Sequence, residues 1–182
     1  MTHHEVRIIG GRWKRSKLPV LDKPGLRPTP DRVRETVFNW LGQDLTGWRV
    51  LDAFAGSGAL GFEAASRGAA EVQLVERDAQ LAKQLAQNKA RLQDSEALRV
   101  DCADALAWIA RCAPDRFDLV LLDPPFGADL FDAALAAALR VVVPQGFVYL
   151  ESDREIAPPA GAEAWRAGRA GAVHYAVFRR LG

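Results

Sequence analysis

Residues 49–61 read Arg49-Val50-Leu51-Asp52-Ala53-Phe54-Ala55-Gly56-Ser57-Gly58-Ala59-Leu60-Gly61. Arg49, Val50 and Leu51 form a short buried strand that ends on an acid, Asp52. Gly56, Gly58 and Gly61 satisfy G-x-G-x-x-G between that strand and a helix expected over 60–67, ended by Gly68. Glycines in such a loop let the backbone approach a ligand closely. The plain alternative is a tight strand-to-helix turn that serves no ligand.

Outward from this stretch the alternation repeats. Strands are expected at 71–75, 98–100, 117–122 and 146–150, with helices at 79–92, 105–112 and 130–140 between them. Residues 165–169 and 173–179 read as a closing hairpin. Strands alternating with helices imply an α/β domain whose mostly parallel sheet carries helices on both faces. Upstream, residues 6–9 and 12–14 read as a short hairpin turned by Gly10-Gly11, and 18–28 as an extended loop. Thr29 is the expected N-cap of a helix with Pro30 at its first position. Val33, Val37, Phe38 and Leu41 give that helix an apolar face, and Gly42 ends it. The chain thus divides into an extension, 1–42, and a domain, 43–182.

The 182 residues are 49% hydrophobic and 26% charged, which fits one globular domain with a small appendage. A wholly disordered chain and a disulfide-stapled miniprotein are excluded. No uncharged apolar run approaches the roughly 18 residues of a membrane span, and Met1 to Arg15 lacks the apolar core of a secretory signal. Cys102 and Cys112 have no metal-ligand spacing and no disulfide framework. A reducing cytoplasm and a site without metal are the corresponding expectations, with a monomer as the expected state.

The net charge of +1 conceals an asymmetry. From Val6 to Arg34 there are nine Lys/Arg and two Asp, a net of +7, so the rest of the chain is acidic on balance. A concentrated basic block points to an anionic partner, above all nucleic acid. Arg7, Arg12, Lys14, Arg15, Arg27, Arg32 and Arg34 are the expected contacts. The alternative is a solvated tail.

Four acids fall at or just past expected strand ends: Asp52, Glu76, Asp104 and Asp123. Ligands of a doubly wound sheet lie beyond those ends. Each acid alone could be a helix cap or a loop residue; four on one rim suit a ligand with hydroxyls, an amine and a cation. A dinucleotide fold usually sets its first glycine directly after the strand, whereas here Asp52 to Ala55 intervene. Glu76, 20 residues beyond Gly56, stands where an acid binds a ribose diol.

Asp123-Pro124-Pro125-Phe126 is the sharpest local signal. Two prolines fix φ and remove two backbone donors. The Asp123 carboxylate and the Pro124 carbonyl become a rigid acceptor pair, able to receive both hydrogens of an exocyclic amine. Phe126 can stack on the base that carries it. The alternative is a proline-terminated strand with a core Phe.

Asp-Pro-Pro-Phe resembles the (D/N)-P-P-(Y/F) signature of amino-group methylators among the Rossmann-like S-adenosylmethionine-dependent methyltransferases. More narrowly, Arg7-Ile8-Ile9-Gly10-Gly11, Leu18-Pro19-Val20 and residues 27–35, Arg-Pro-Thr-Pro-Asp-Arg-Val-Arg-Glu, resemble the RsmD-type family over nearly the whole chain, from about Val6 to Arg179. The resemblance implies a seven-stranded, mostly parallel Rossmann-like sheet ending in a hairpin, with the basic extension added. It implies methylation of guanine N2, at guanine 966, in bacterial 16S rRNA of the small ribosomal subunit or its assembly intermediate. Carried over, Asp52, Phe54, Gly56 and Gly58 line the methionine and ribose end of the cofactor. Glu76 takes the ribose hydroxyls, Arg77 covers the adenine, and Asp104 with the Ala105 backbone meets the adenine edge. Asp123, Pro124, Pro125 and Phe126 hold the guanine, and Thr29-Pro30 lies near the cofactor as a lid. His174, in the last hairpin, is assigned a structural role.

Three other readings compete. Amino methyltransferases of DNA adenine or protein glutamine usually carry Asn at the Asp123 position. A non-catalytic RNA-binding assembly factor would not need Asp52, Glu76 and Asp123 intact. A nicotinamide oxidoreductase is disfavoured by the glycine spacing.

Overall fold

The computed structural model describes residues 4–182; residues 1–3, the start of the expected extension, lie outside it. Seven strands form one sheet: β3 (Arg49–Asp52), β4 (Glu71–Glu76), β5 (Leu98–Cys102), β6 (Phe117–Leu122), β7 (Val142–Ser152), β8 (Ala162–Ala170) and β9 (Val173–Arg180). Their order is β5-β4-β3-β6-β7-β9-β8. The first four contacts are parallel, and the last two, β7 with β9 and β9 with β8, are antiparallel. The expected mostly parallel sheet with a terminal hairpin is what forms.

Helices α1 (Asp31–Leu41), α2 (Ala59–Ser66), α3 (Ala79–Arg91), α4 (Ala105–Ala110) and α5 (Phe131–Val141) pack against it. Their ends follow local chemistry. The Asp78 carboxylate caps α3 by accepting from the Gln80 and Leu81 N–H groups, and Lys89 and Arg91 complement its last turn. Gly42 ends α1 at φ 99°, a conformation that spares glycine the Cβ penalty. Two apolar clusters fill the faces. One joins Ile8, Trp13, Leu18, Val37 and Phe38 of the N-terminal segment to Leu60, Phe62, Leu74 and Tyr149. The other joins Leu51, Val120 and Leu150 to Phe131, Leu135 and Ala138 of α5.

The N-terminal hairpin differs from its expected register. Its strands are β1 (His4–Arg7) and β2 (Lys17–Val20), paired Arg7 with Lys17 and Val6 with Leu18. Residues read as loop thus supply the second strand. Gly10-Gly11 does not turn the hairpin; it docks on the C-terminal end of α2. A Cβ on Gly11 would lie 1.9 Å from the Ser66 carbonyl oxygen, and the residue sits at φ +77°. Ser66 Oγ donates to the Gly10 carbonyl at 2.6 Å, and the Arg12 N–H donates to the Ser66 carbonyl at 2.8 Å. The glycines serve close approach between elements rather than a two-residue turn.

The start of α1 also shifts by one residue. Pro30 is the N-cap and makes no side-chain cap bond, while Thr29 is buried. The reason is Arg34, whose Nε donates to the Thr29 carbonyl at 3.1 Å and pulls that residue beneath the helix.

Candidate active site

The chain runs from β3 to β4 and β5 on one side, then returns to β6 and β7 on the other. The switch point lies between β3 and β6, where a doubly wound sheet opens a crevice at its carboxyl ends. Asp52 closes β3 and Asp123 follows β6, so the two acids flank that crevice.

Asp52 is buried, and its Oδ2 accepts from the Gly61 N–H at 3.0 Å in the first turn of α2. Burial pushes its carboxyl up to about 7, against the Gly61 hydrogen bond and with help from the nearby charges of Glu76 and Glu151. Glu76 braces the glycine loop: Oε1 accepts from the Gly56 N–H at 2.9 Å and Oε2 from the Asp78 N–H at 2.7 Å. A carboxylate offers about four lone-pair sites, so acceptor capacity remains for a diol.

The three glycines separate by role. A Cβ on Gly58 would strike Phe62 and Leu85, at 2.5 and 2.6 Å, and one on Gly61 would strike Leu74 and Asp52. Both are required by the packing of the protein itself. Gly56, at φ +55°, would meet Leu26 Cδ1 at 3.1 Å and otherwise only the Phe54 carbonyl oxygen at 4.0 Å. It is the glycine that opens toward ligand space, with Leu26 of the N-terminal segment standing above it. Lys23 fastens the same segment to this rim through Asp78, at 2.7 Å. Thr29 and Pro30, expected near the cofactor, do not come within 4 Å of a Cβ on Gly56; of the N-terminal segment, Leu26 does.

Asp104 is exposed and caps α4 by accepting from the Ala107 N–H at 2.9 Å. Ala105 is buried, Arg77 is exposed and Phe54 is half-buried against the core. Pro124 is buried and Pro125 exposed, and Phe126 is 46% exposed with its ring edge-on to Phe131 at 5.7 Å between centroids.

One acid escaped the sequence reading. Leu122 pairs with Leu150 across β6 and β7, which sets Asp123, just past the end of β6, beside Glu151 of β7. Glu151 is buried and accepts from the Tyr149 hydroxyl at 2.8 Å. Burial, the Glu151 carboxyl and then Asp52 hold the Asp123 carboxyl well above the usual carboxylate range. Burial and Glu151 also push the Tyr149 phenol up. The rule that selected Asp52 and Asp123 selects Glu151 too, because it directly follows the strand expected over 146–150.

Among the described residues, none of Asp52, Glu76, Asp123 and Glu151 forms an ion pair. Acids crowded into one crevice without a cation suit a ligand that brings positive charge, hydroxyls and an amine. A sulfonium-bearing nucleoside with an amino-acid tail is such a ligand, so the residues present fit S-adenosylmethionine.

The basic segment is distributed along the molecule. Arg7, Arg12, Lys14, Arg15, Arg27 and Arg32 are exposed, and Arg7 pairs with Asp31 at 3.0 Å. Arg34 does not belong with them. It is 1% exposed and donates to the Arg7 carbonyl at 2.8 Å and to Glu63 at 3.2 Å, with Asp31 also paired to it. It cannot reach a phosphate; its charge is spent inside the fold. Arg12, Lys14 and Arg15 occupy the tip of the hairpin, which docks on Ser66, and Trp13 Nε1 donates to the Gln93 carbonyl at 2.8 Å. These are the C-terminal ends of α2 and α3, so the tip lies at the opposite rim from the acids. At 1.5 Å per residue, eight-residue α2 separates the rims by about 12 Å.

The family model described as Conserved hypothetical protein 95 matches residues 6–179. Ribosomal RNA small subunit methyltransferase D of Escherichia coli strain K12 is 41% identical over 181 residues, spanning 97% of this chain and 90% of that protein. The solved structure of the Escherichia coli protein yhhF superposes with a TM-score of 0.87 at 40% identity, covering 98% of this chain and 99% of that one. SMU.776, solved as a complex with SAH, shares the fold at a TM-score of 0.68 and 14% identity, covering 90% of this chain and 53% of that one. A domain with this sheet order, this acidic crevice and this likeness along its whole length belongs to the Conserved hypothetical protein 95 family, that of the RsmD-type methyltransferases.

Proposed function

We propose that the protein transfers a methyl group from S-adenosylmethionine to the exocyclic N2 amine of a guanine in 16S rRNA of the small ribosomal subunit, guanine 966 by family resemblance. The observation that carries this reading is the pairing of Asp123 and rigid Pro124-Pro125 with a half-exposed Phe126 at the end of β6. In this reading Asp52 and the Gly56 backbone hold the cofactor's amino-acid and ribose end, Glu76 the ribose diol, and Asp104, Ala105 and Arg77 the adenine. Residues 1–42 form the substrate extension and 43–182 the methyltransferase domain. The protein acts as a cytoplasmic monomer with no metal.

The cofactor supplies an electrophilic sulfonium methyl. The remaining work falls to this chain. Guanine N2 is a weak nucleophile because its lone pair is delocalised into the ring. The Asp123 carboxylate and the Pro124 carbonyl accept its two hydrogens, favour a pyramidal nitrogen and stabilise positive charge as it develops there. Phe126 stacks on a base that has left its own helix stack. Fixing the nitrogen in line with the methyl supplies up to roughly 7–11 kcal/mol of the barrier reduction.

The test is incubation with labelled S-adenosylmethionine and small subunits from a strain lacking the enzyme. Nucleoside analysis should yield labelled N2-methylguanosine. A different labelled nucleoside, or labelled protein, overturns the substrate assignment.

A further inference from the structure

Glu151 has no role in the reading above, yet it is the residue nearest to Asp123 in kind and place. It follows Leu150 as Asp123 follows Leu122, on the neighbouring strand, so the register sets the two acids side by side, and Glu151 is buried there. We propose that Glu151 is a positioning residue that works through Asp123: the two carboxyls share one proton in the free enzyme, surrender it when a cationic cofactor binds, and recover a proton from the methylated amine. The inference rests on the methyltransferase reading of this crevice.

The surroundings leave little else to balance the pair. Asp52 faces it from β3, with Glu76 beyond on β4. Tyr149, on β7 itself, donates to Glu151, and Tyr175 stands opposite Glu151 on β9. His174 lies one step further, opposite Ser152. Arg154 is engaged by Asp129, Asp132 and Asp153. Two facing carboxylates without a cation do not both ionise near neutrality. A bound sulfonium changes that balance, because an opposite charge within a few ångströms favours the ionised form.

The same logic gives the returning proton a destination. Once the amine nitrogen has been methylated, positive charge resides on that nitrogen and the sulfur is neutral. An N–H bond then breaks with its electron pair left on nitrogen, and an O–H bond forms on the Asp123 carboxylate. Glu151 shares that proton, so the doubly charged pair returns to its single charge. Asp123 touches the substrate; Glu151 sets the protonation state in which Asp123 meets it.

The test compares two ligands that differ in one charge. Calorimetry of the full chain near pH 7, in two buffers of different ionisation enthalpy, counts the protons released by S-adenosylmethionine and by S-adenosylhomocysteine. The expected result is that the sulfonium ligand releases up to about one proton more than the neutral thioether. In Glu151→Gln, where the Tyr149 hydroxyl can still donate to the amide oxygen, that difference should vanish with both ligands still bound. Tyr149→Phe removes the hydroxyl that donates to Glu151 but leaves both carboxyls in place, so the extra release should persist. Equal release by the two ligands in the wild type, or an undiminished difference in Glu151→Gln, overturns the proposal while leaving the methyltransferase reading intact. Failure of both ligands to bind the wild type removes that reading and this proposal together.

Discussion

Arg34 and Glu63 meet at 3.2 Å with their side chains 2% and 0% exposed, so an ion pair is sealed between α1 and α2. Glu63 carries more than that pair. Its two oxygens also accept from the Ile9 and Gly10 N–H groups, both at 2.9 Å, and from Arg67 at 3.0 Å. The N-terminal hairpin is therefore bolted to the methyltransferase sheet through one buried carboxylate whose lone pairs are fully used. The basic extension is held in place by Arg34, which faces inward, and by Lys23, paired with Asp78, while Arg12, Lys14, Arg15, Arg27 and Arg32 are exposed.

Arg34→Met should be one of the most destabilising single changes in the extension. Removing one partner of a buried pair leaves uncompensated charge, worth about 3–5 kcal/mol. Arg67 still neutralises Glu63, so the lower end, about 3 kcal/mol, is expected. At about 2–4 °C per kcal/mol for a chain of this size, the melting temperature should fall by about 6–12 °C. A melting temperature within about 2 °C of the wild type, about 1 kcal/mol or less by the same conversion, would refute the bolt.

Asp123→Ala should remove most turnover while leaving S-adenosylhomocysteine affinity nearly unchanged. Losing one charge-assisted acceptor at the transition state is worth about 10²–10³ in rate. Single-turnover methylation of small subunits measures the loss, and calorimetry checks the affinity. Wild-type rates in the variant would take Asp123 out of the active site.

Glu76→Ala should act on binding instead. Hydrogen bonds to a charged group contribute about 1.5–3 kcal/mol, so affinity for S-adenosylhomocysteine should drop about ten- to a hundredfold. Part of that loss arises because the Gly56 and Asp78 N–H groups lose their acceptor and the glycine loop loosens. Unchanged affinity would reduce Glu76 to a loop brace.

Neutralising the hairpin tip, with Arg12→Gln, Lys14→Gln and Arg15→Asn, should weaken RNA binding and spare the rest. Asn suits position 15, where φ is +74°. For single-stranded RNA, the slope of log affinity against log salt should become shallower by about 0.7 per lost contact, or about 2 in all. Melting temperature and cofactor affinity should hardly move. Because the tip lies at the far rim, the effect requires an RNA long enough to span α2; a target-site oligonucleotide of a few nucleotides should not register it. Identical slopes with long RNA would sink the tip as an RNA contact.

Stability of the free enzyme should fall between about pH 4 and pH 7 through Asp52. Its folded carboxyl titrates at about 7, above its ordinary value of 3.8, so over that window the folded state holds the proton more strongly than the unfolded chain. The stabilisation is present at the acid end of the window and is lost as the pH rises through 7. Asp123, raised in the same direction, adds to the trend. Melting temperatures measured from pH 5 to pH 8 should decline, and Asp52→Asn should flatten the slope. A rise across that range would contradict the burial of an uncompensated carboxyl.

By itself the sequence determined the order and kind of the elements from β3 to β9, because apolar period, glycine stops and Asp caps act within a few residues of where they are written. It also marked Asp52, Glu76 and Asp123, since a strand end is a local feature. Tertiary structure alone decided which of those acids lost water. Asp52 closes β3 and Asp104 lies just past β5, yet Asp104 is an exposed helix cap and Asp52 is buried beneath α2. The same holds for the basic block: Arg32 and Arg34 are two residues apart, one in solvent and one sealed against Glu63. The hairpin register, the docking of Gly11 on Ser66 and the meeting of Asp123 with Glu151 depend on partners 12, 55 and 28 positions away. Those pairings are set by which surfaces the folded chain presses together, and a charge acquires its shifted proton affinity only where that packing excludes water.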